Sequence, residues 1–365
     1  MRQIPFIMQS NQKRFCIFCG KKPVSKTNEH VIPQWLIHLT GDPSRLIQIG
    51  PFINQKESVI ELSFNQFKFP ACSECNGKYG ELEERVKPVV EKLLAFGKMT
   101  SQEFDIVLDW FDKVRVGLWL GYHHFLEKNY WGIEPNFHIS ERIGISDRVL
   151  IIYKVSDANK RINFSGMNIP AFAHSPTCFT LTINNLFFTN VSTDFLVAKR
   201  SGLPYPRIMH ININNQFGLV EPPKNGSSKL SYPILGFNYD RRCTVIAQPI
   251  FTRFLSFFEE EYNTKYIRDI SMNTGKAKPI IQKNGQVMLY PDTPSIDWIP
   301  DETHDLHGMF RTTYIQTLQL QIDLLKKSHV ARDQNKVEKQ LLSYNINQCI
   351  KINKQFITRL KEESP

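Results

Sequence analysis

Two Cys-x-x-Cys pairs, Cys16 with Cys19 before Gly20 and Cys72 with Cys75 before Asn76, are the residues best suited to chemistry in this chain of 365 residues. Each pair can bend back so that both sulfurs face one point, and two such pairs complete a tetrahedral thiolate site for structural Zn2+. In a reducing compartment this paired spacing signals metal ligation, and seven cysteines are too few for a disulfide scaffold at this length. Cys178, Cys243 and Cys349 have no paired spacing and read as buried or incidental thiols. The gap between the pairs is longer than a compact zinc ribbon needs, so it must house something, and it contains Asn28-Glu29-His30-Val31-Ile32-Pro33. Alone, an acidic residue beside a histidine reads as a surface or helix-capping pair. Bracketed by two cysteine knuckles and followed by Ile32-Pro33, it reads as part of a site. Asn76, taken by itself, is a favoured helix cap.

The order Cys-x-x-Cys, acidic-His-aliphatic-x-Pro, Cys-x-x-Cys-Asn resembles the HNH endonuclease superfamily, in particular members whose ββα-metal hairpin is framed by a four-cysteine zinc site. The resemblance covers about Phe15 to Glu84. It implies that Glu29 and Asn76 are protein ligands of a catalytic divalent cation, Mg2+ or Mn2+, and that His30 deprotonates the attacking water. An imidazole suits that task because its pKa lies near working pH. The family's middle Asn, which orients the base, has its nearest counterpart in Asn65, which stands slightly further from the second cysteine pair than usual. Glu29 replaces the more frequent Asp, and Glu83 or Glu84 on the following helix is placed to add a carboxylate. The resemblance favours DNA over RNA as substrate, products with a 3′-hydroxyl and a 5′-phosphate, and a setting in bacterial restriction or anti-phage defence.

The elements that must position these groups form an α+β chain. A zinc-stapled module is expected over residues 1–95, a mixed helix and sheet region of open role over 96–300, and a helical hairpin over 301–365. From Glu81 to about Asn129 apolar residues recur at helical spacing, from Leu82, Val86, Val89 and Leu93 to Phe104, Val107, Phe111, Val114 and Leu118, with a cap at Thr100 or Ser101. Strands are expected at Val149 to Val155, Cys178 to Ile183, Leu186 to Thr189, Ile208 to Ile213 and Thr244 to Ala247. Asn284-Gly285 marks a hairpin between Pro279 to Gln282 and Gln286 to Tyr290. Two helices, His304 to Ser328 and Gln334 to Lys361, flank a break at His329 to Asp333.

A formal charge of +10 attracts polyanions at long range, and nucleic acid is the commonest such partner. Basic residues of the last two helices, among them Lys326, Lys327, Arg332, Lys336 and Lys339, could meet phosphates, although a charged outer face is more often only a solvated one. No apolar run is long enough for a membrane span and the first fifteen residues lack a leader pattern, so a cytoplasmic protein without a membrane role is expected. His123-His124 and the aromatic runs Phe187-Phe188 and Phe251 to Phe258 read as packing, and His304 with His307 as a helix-face pair without a metal. Two readings compete with an active endonuclease: a zinc-dependent nucleic-acid or partner-binding protein on an inactive HNH fold, and an effector silent until the C-terminal region meets an activating partner or a second copy.

Overall fold

Thr100 starts the helix around which the protein is packed. Its hydroxyl accepts from the Glu103 amide while the Glu103 carboxylate takes the Thr100 N–H, a reciprocal cap that fixes the first turn. A computed structural model describes residues 15–23, 25–49, 60–126, 135, 137–156, 160–167, 172, 176–201, 209–211, 217–220, 242–250, 274–326 and 336–362. The expected strand ends at 208 and 212–213, the break at 329–333 and the run at 251–258 lie outside them.

The N-terminal part runs β1 (Lys26–His30), α1 (Gln34–Leu39), β2 (Leu46–Ile49), β3 (Ile60–Ser63), β4 (Lys68–Cys72) and α2 (Ser73–Leu94). β1 and β4 pair antiparallel, with Lys26 opposite Cys72 and His30 opposite Lys68. α2 begins at Ser73, eight residues before the apolar spacing predicts, because Cys72 acts as its N-cap and its first turns face the cysteines instead of a hydrocarbon core. Glu81 is thus well inside the helix.

α3 (Ser101–Leu120) is buried on nearly every side, with Phe104, Trp110, Phe111, Val114, Leu118 and Trp119 almost fully enclosed. A helix apolar all round must be covered on both flanks. One flank meets β1 and β4 at very close range. A Cβ on Gly117 would stand 2.8 Å from a Val31 methyl, and one on Gly121 would stand 2.6 Å from the Phe69 ring. Side chains there would force the two layers apart, at a cost of about 1–3 kcal/mol each.

The other flank meets an eight-stranded sheet. Its strands are β5 (Arg148–Val155), β6 (Ile162–Ser165), β7 (Cys178–Ile183), β8 (Leu186–Ser192), β11 (Thr244–Gln248), β12 (Ile280–Lys283), β13 (Gln286–Leu289) and β14 (Thr303–His304). The order is β13-β12-β11-β5-β8-β7-β6, antiparallel throughout, with β14 added parallel to the end of β5. β9 (Met209–Ile211) and β10 (Phe217–Val220) pair separately. Alternate residues of β5 enter different cores: Leu150 and Ile152 join the α3 side, while Val149, Ile151 and Tyr153 join the opposite side with Met309 and Leu320. Covering both faces explains why the strands read as continuous apolar runs. The hairpin at Asn284-Gly285 forms as expected, with Asn284 at φ 51° and Gly285 at φ 75°.

After a short helix α4 (Leu196–Ser201), the chain ends in α5 (Leu306–Lys326) and α6 (Lys336–Glu362), which pack through Leu318 and Phe356. His304 belongs to β14 and not to the helix, so it does not share a helix face with His307. The mixture of helix and sheet is that of an α+β protein. No helix among the described residues is long and apolar enough to cross a membrane.

Candidate metal centre and its neighbouring carboxylate pair

The first cysteine pair is shaped by its own backbone. Gly20 donates to the Cys16 carbonyl at 2.8 Å, Cys16 donates to the Lys21 carbonyl at 2.8 Å, and Gly20 closes the turn at φ 72°. Ile17 donates to the Pro70 carbonyl at 2.9 Å, which ties this knuckle to β4. Phe18 stacks on Tyr79 of α2 with ring centres 4.3 Å apart. The second pair needs no separate turn, since Cys72 ends β4 and Cys75 stands on the first turn of α2.

The result is that Cys16, Cys19, Cys72 and Cys75 place their sulfurs within 4.8 Å of one another. With zinc–sulfur bonds of about 2.3 Å, the edge of a tetrahedron is about 3.8 Å, and Cys19 Sγ lies 3.9 Å from Cys72 Sγ. Four thiols gathered this closely can hold a metal ion such as zinc. Without one, desolvation and the neighbouring thiols push Cys72 up to about 11 and Cys75 up to about 12. Burial also opposes ionisation of Cys16, but the amides of Cys72, Cys19 and Phe18 outweigh it and hold that thiol below its ordinary value. A divalent ion bound there would draw the protons from the thiols.

Glu29 and His30 end β1. Glu29 is buried, and its Oε1 accepts from Lys113 Nζ at 2.5 Å. The same ammonium pairs with Glu83 Oε1, so a fully enclosed lysine from α3 joins a carboxylate of β1 to one of α2. Burial disfavours the charge on Lys113, yet Glu29 and Glu83 more than restore it and hold the ammonium above its ordinary value. Burial raises Glu83 above the usual carboxylate range, against the pull of Lys113. Of the two candidates for an added carboxylate, Glu83 is the one that faces Glu29, while Glu84 is exposed. Two carboxylates converging on one cationic group are the donor chemistry that a hard divalent ion takes. Among the described residues the four cysteines are the one group of three or more His, Cys, Asp or Glu side chains close enough to share an ion.

His30 Nε2 lies 3.3 Å from the backbone carbonyl of Asn65, in the turn that precedes β4. A carbonyl only accepts, so this nitrogen carries the proton and Nδ1 keeps a lone pair. Desolvation holds the ring below its ordinary pKa of 6.5. Lys68 and Lys113 act in the same direction, while Asn65 and Glu83 oppose it. The imidazole is therefore neutral at pH 7. Residue 65 meets the histidine through its main chain, and its side chain is not the contact. Asn76 is half-buried on α2, seven residues before Glu83 and hence on the same helix face.

The sequence reading missed Lys113. Its signal was available: Asp105, Asp109, Asp112, Lys113 and Arg115 place five charges in a helix otherwise dense in large apolar residues, so most of them must pair inside the fold. His123 and His124 lie in the π-turn Gly121–Phe125, where His123 Nε2 meets the Met167 carbonyl at 3.0 Å and His124 packs edge-on against Trp119. Cys178, Cys243 and Cys349 are buried and form no disulfide. Comparison of the chain with protein-family models, curated proteins and solved structures finds no match.

Proposed function

We propose that residues 15–84 form an HNH-type ββα nuclease module and that the protein is a metal-dependent endonuclease acting on nucleic acid, DNA in preference to RNA. The reading is carried by one observation: His30, whose Nε2 is tied to the Asn65 carbonyl, follows directly on Glu29, whose carboxylate converges with that of Glu83 on one ammonium. The antiparallel β1 and β4 followed by α2, in the order the HNH resemblance requires, supports it. His30 Nδ1 would take the proton from the attacking water, since its lone pair is not spent on a backbone contact. Glu29 and Asn76, with Glu83, would hold the catalytic Mg2+ or Mn2+, whose chemistry when bound is to stabilise negative charge on the phosphate and on the departing oxygen. The four cysteines would carry structural Zn2+ and keep β4 and α2 at a fixed angle to the first knuckle. Cleavage would leave a 3′-hydroxyl and a 5′-phosphate.

The outer face of α6 supports a nucleic-acid partner. Lys336, Lys351, Lys354 and Arg359 are exposed along one side of the helix and have no carboxylate partner among the described residues. Reduced thiols suit the cytoplasm, and restriction or anti-phage defence is the setting the resemblance offers. The second reading, a zinc-dependent binding protein on an inactive HNH fold, draws on the ion pair that engages Glu29.

Nicking of supercoiled plasmid in Mg2+ or Mn2+, with wild type and His30→Ala compared, separates the two readings. The endonuclease nicks, and the variant keeps its zinc and its fold but not its cutting. A wild type that retards DNA without nicking it favours the binding protein, and nicking restored by an added partner or by self-association favours the effector.

A further inference from the structure

Lys113 is unusual in its charge stoichiometry. Its ammonium is fully enclosed on α3 and cannot reach solvent without unpacking the helix, and it faces two carboxylates, from β1 and α2, that nothing else in the described residues neutralises. One buried carboxylate would satisfy an ammonium's charge. The second leaves the corner with one more carboxylate than ammonium. Buried excess charge is unfavourable unless a further cation meets it. We propose that Lys113 is the resident counter-ion of the cation site. It holds Glu29 and Glu83 together while no divalent ion is bound, and it sets the affinity for that ion by competing for the same carboxylates. The inference rests on reading Glu29 as a cation ligand. It goes further in giving the site a built-in competitor, so that metal loading and not catalysis is what the lysine controls.

Mn2+ titration of the zinc-loaded full-length protein, followed by the EPR signal of free Mn2+, tests this without substrate. Lys113→Met removes the competing charge and should bind Mn2+ more tightly by about one to three powers of ten, the usual effect of one adjacent charge on an ionic equilibrium. Lys113→Arg keeps the charge and should stay near wild type. Glu29→Gln combined with Lys113→Met should lose the gain. The melting temperature of Lys113→Met should fall in EDTA and recover in Mn2+, whereas a lysine with a purely structural role would give a loss that Mn2+ does not repair. If Lys113→Met cannot be folded, Glu83→Gln serves instead. It leaves Lys113 and Glu29 paired one to one and should weaken Mn2+ binding about tenfold or more. Unchanged Mn2+ affinity in Lys113→Met or in Glu83→Gln overturns the proposal, as does a gain that survives Glu29→Gln. A wild type that binds Mn2+ in the expected order but never nicks DNA would instead sink the nuclease reading and leave this one standing.

Discussion

Two regions along α3 bury ionic groups in opposite ways. On the sheet side, Arg148 is fully enclosed and spends its whole guanidinium: Nε donates to Gln248, one terminal nitrogen to Asp109 and Asp112, the other to Asp105. Lys276 adds a second cation to Asp109 at 2.7 Å, and Arg115 reaches Asp112 at 2.7 Å. Three carboxylates therefore meet three cations. On the cysteine side, four thiols crowd within 4.8 Å and two carboxylates share one ammonium. The first region pairs its acids and cations one to one and behaves as scaffold, while the second holds more acidic groups than cations. A polar core that closes on itself holds elements together, and one that does not close calls for ions from outside.

The comparison can be broken most severely at the thiols. Chelation of zinc, or Cys72→Ser, should unfold the β1, β4 and α2 corner, because ligand binding in such small units is folding energy, about 10 kcal/mol or more in isolated zinc-finger peptides. Zinc content measured with the circular dichroism melt checks this, and normal stoichiometry and stability in the variant would remove the staple. Next in size, Arg148→Met should cost about 3–5 kcal/mol by denaturant unfolding, since it leaves three acids with only two cations in a closed core. A loss below about 1 kcal/mol would mean that the Arg148 region is not the balanced scaffold described.

His30→Ala sharpens the contrast because it should alter chemistry and little else. Nicking should fall by about two to four powers of ten, with the melting temperature nearly unchanged. The ring also sets a pH signature. Its folded pKa lies below 6.5, so the stability gained from the neutral ring is fully present above 6.5 and is lost as pH falls through the folded value. Wild type should lose stability in that acidic window by more than His30→Ala does, and an NMR titration midpoint at or above 6.5 would contradict the sign. The smallest effect belongs to the exposed helix. Replacing Lys351, Lys354 and Arg359 with Gln should leave stability within about 0.5 kcal/mol and lower the salt slope of DNA binding by about 0.9 for each phosphate that is no longer neutralised.

Much of the architecture was legible because its signals are local. The Thr100 cap, the Asn284-Gly285 hairpin, the strand at Val149 to Val155 and the two C-terminal helices each announce themselves within a few residues. The start of α2 was hidden because its first two turns face sulfur and polar groups and so lack apolar spacing. His304 was read into a helix because its pairing partner, the end of β5, lies about 150 residues away. At the site, the cysteines and the Glu29-His30 pair stand out by spacing, whereas Lys113 does not. A lysine on an apolar helix has no periodic signature that says which carboxylates it will meet.

The sequence by itself determined that four thiols come in two matched pairs, that an acidic residue and a histidine lie between them, and that a helical stretch, a run of strands and a pair of helices follow. These are matters of residue type and near spacing, which short-range geometry fixes. Only the tertiary structure decided that β1 and α2 bring Glu29 and Glu83 onto one ammonium from α3, and that the Asn65 carbonyl leaves His30 Nδ1 with its lone pair. Those pairings join residues 30 to 84 positions apart, and they exist because Gly117 and Gly121 let the layers close to contact. Charge balance in a buried site is settled by which elements pack together.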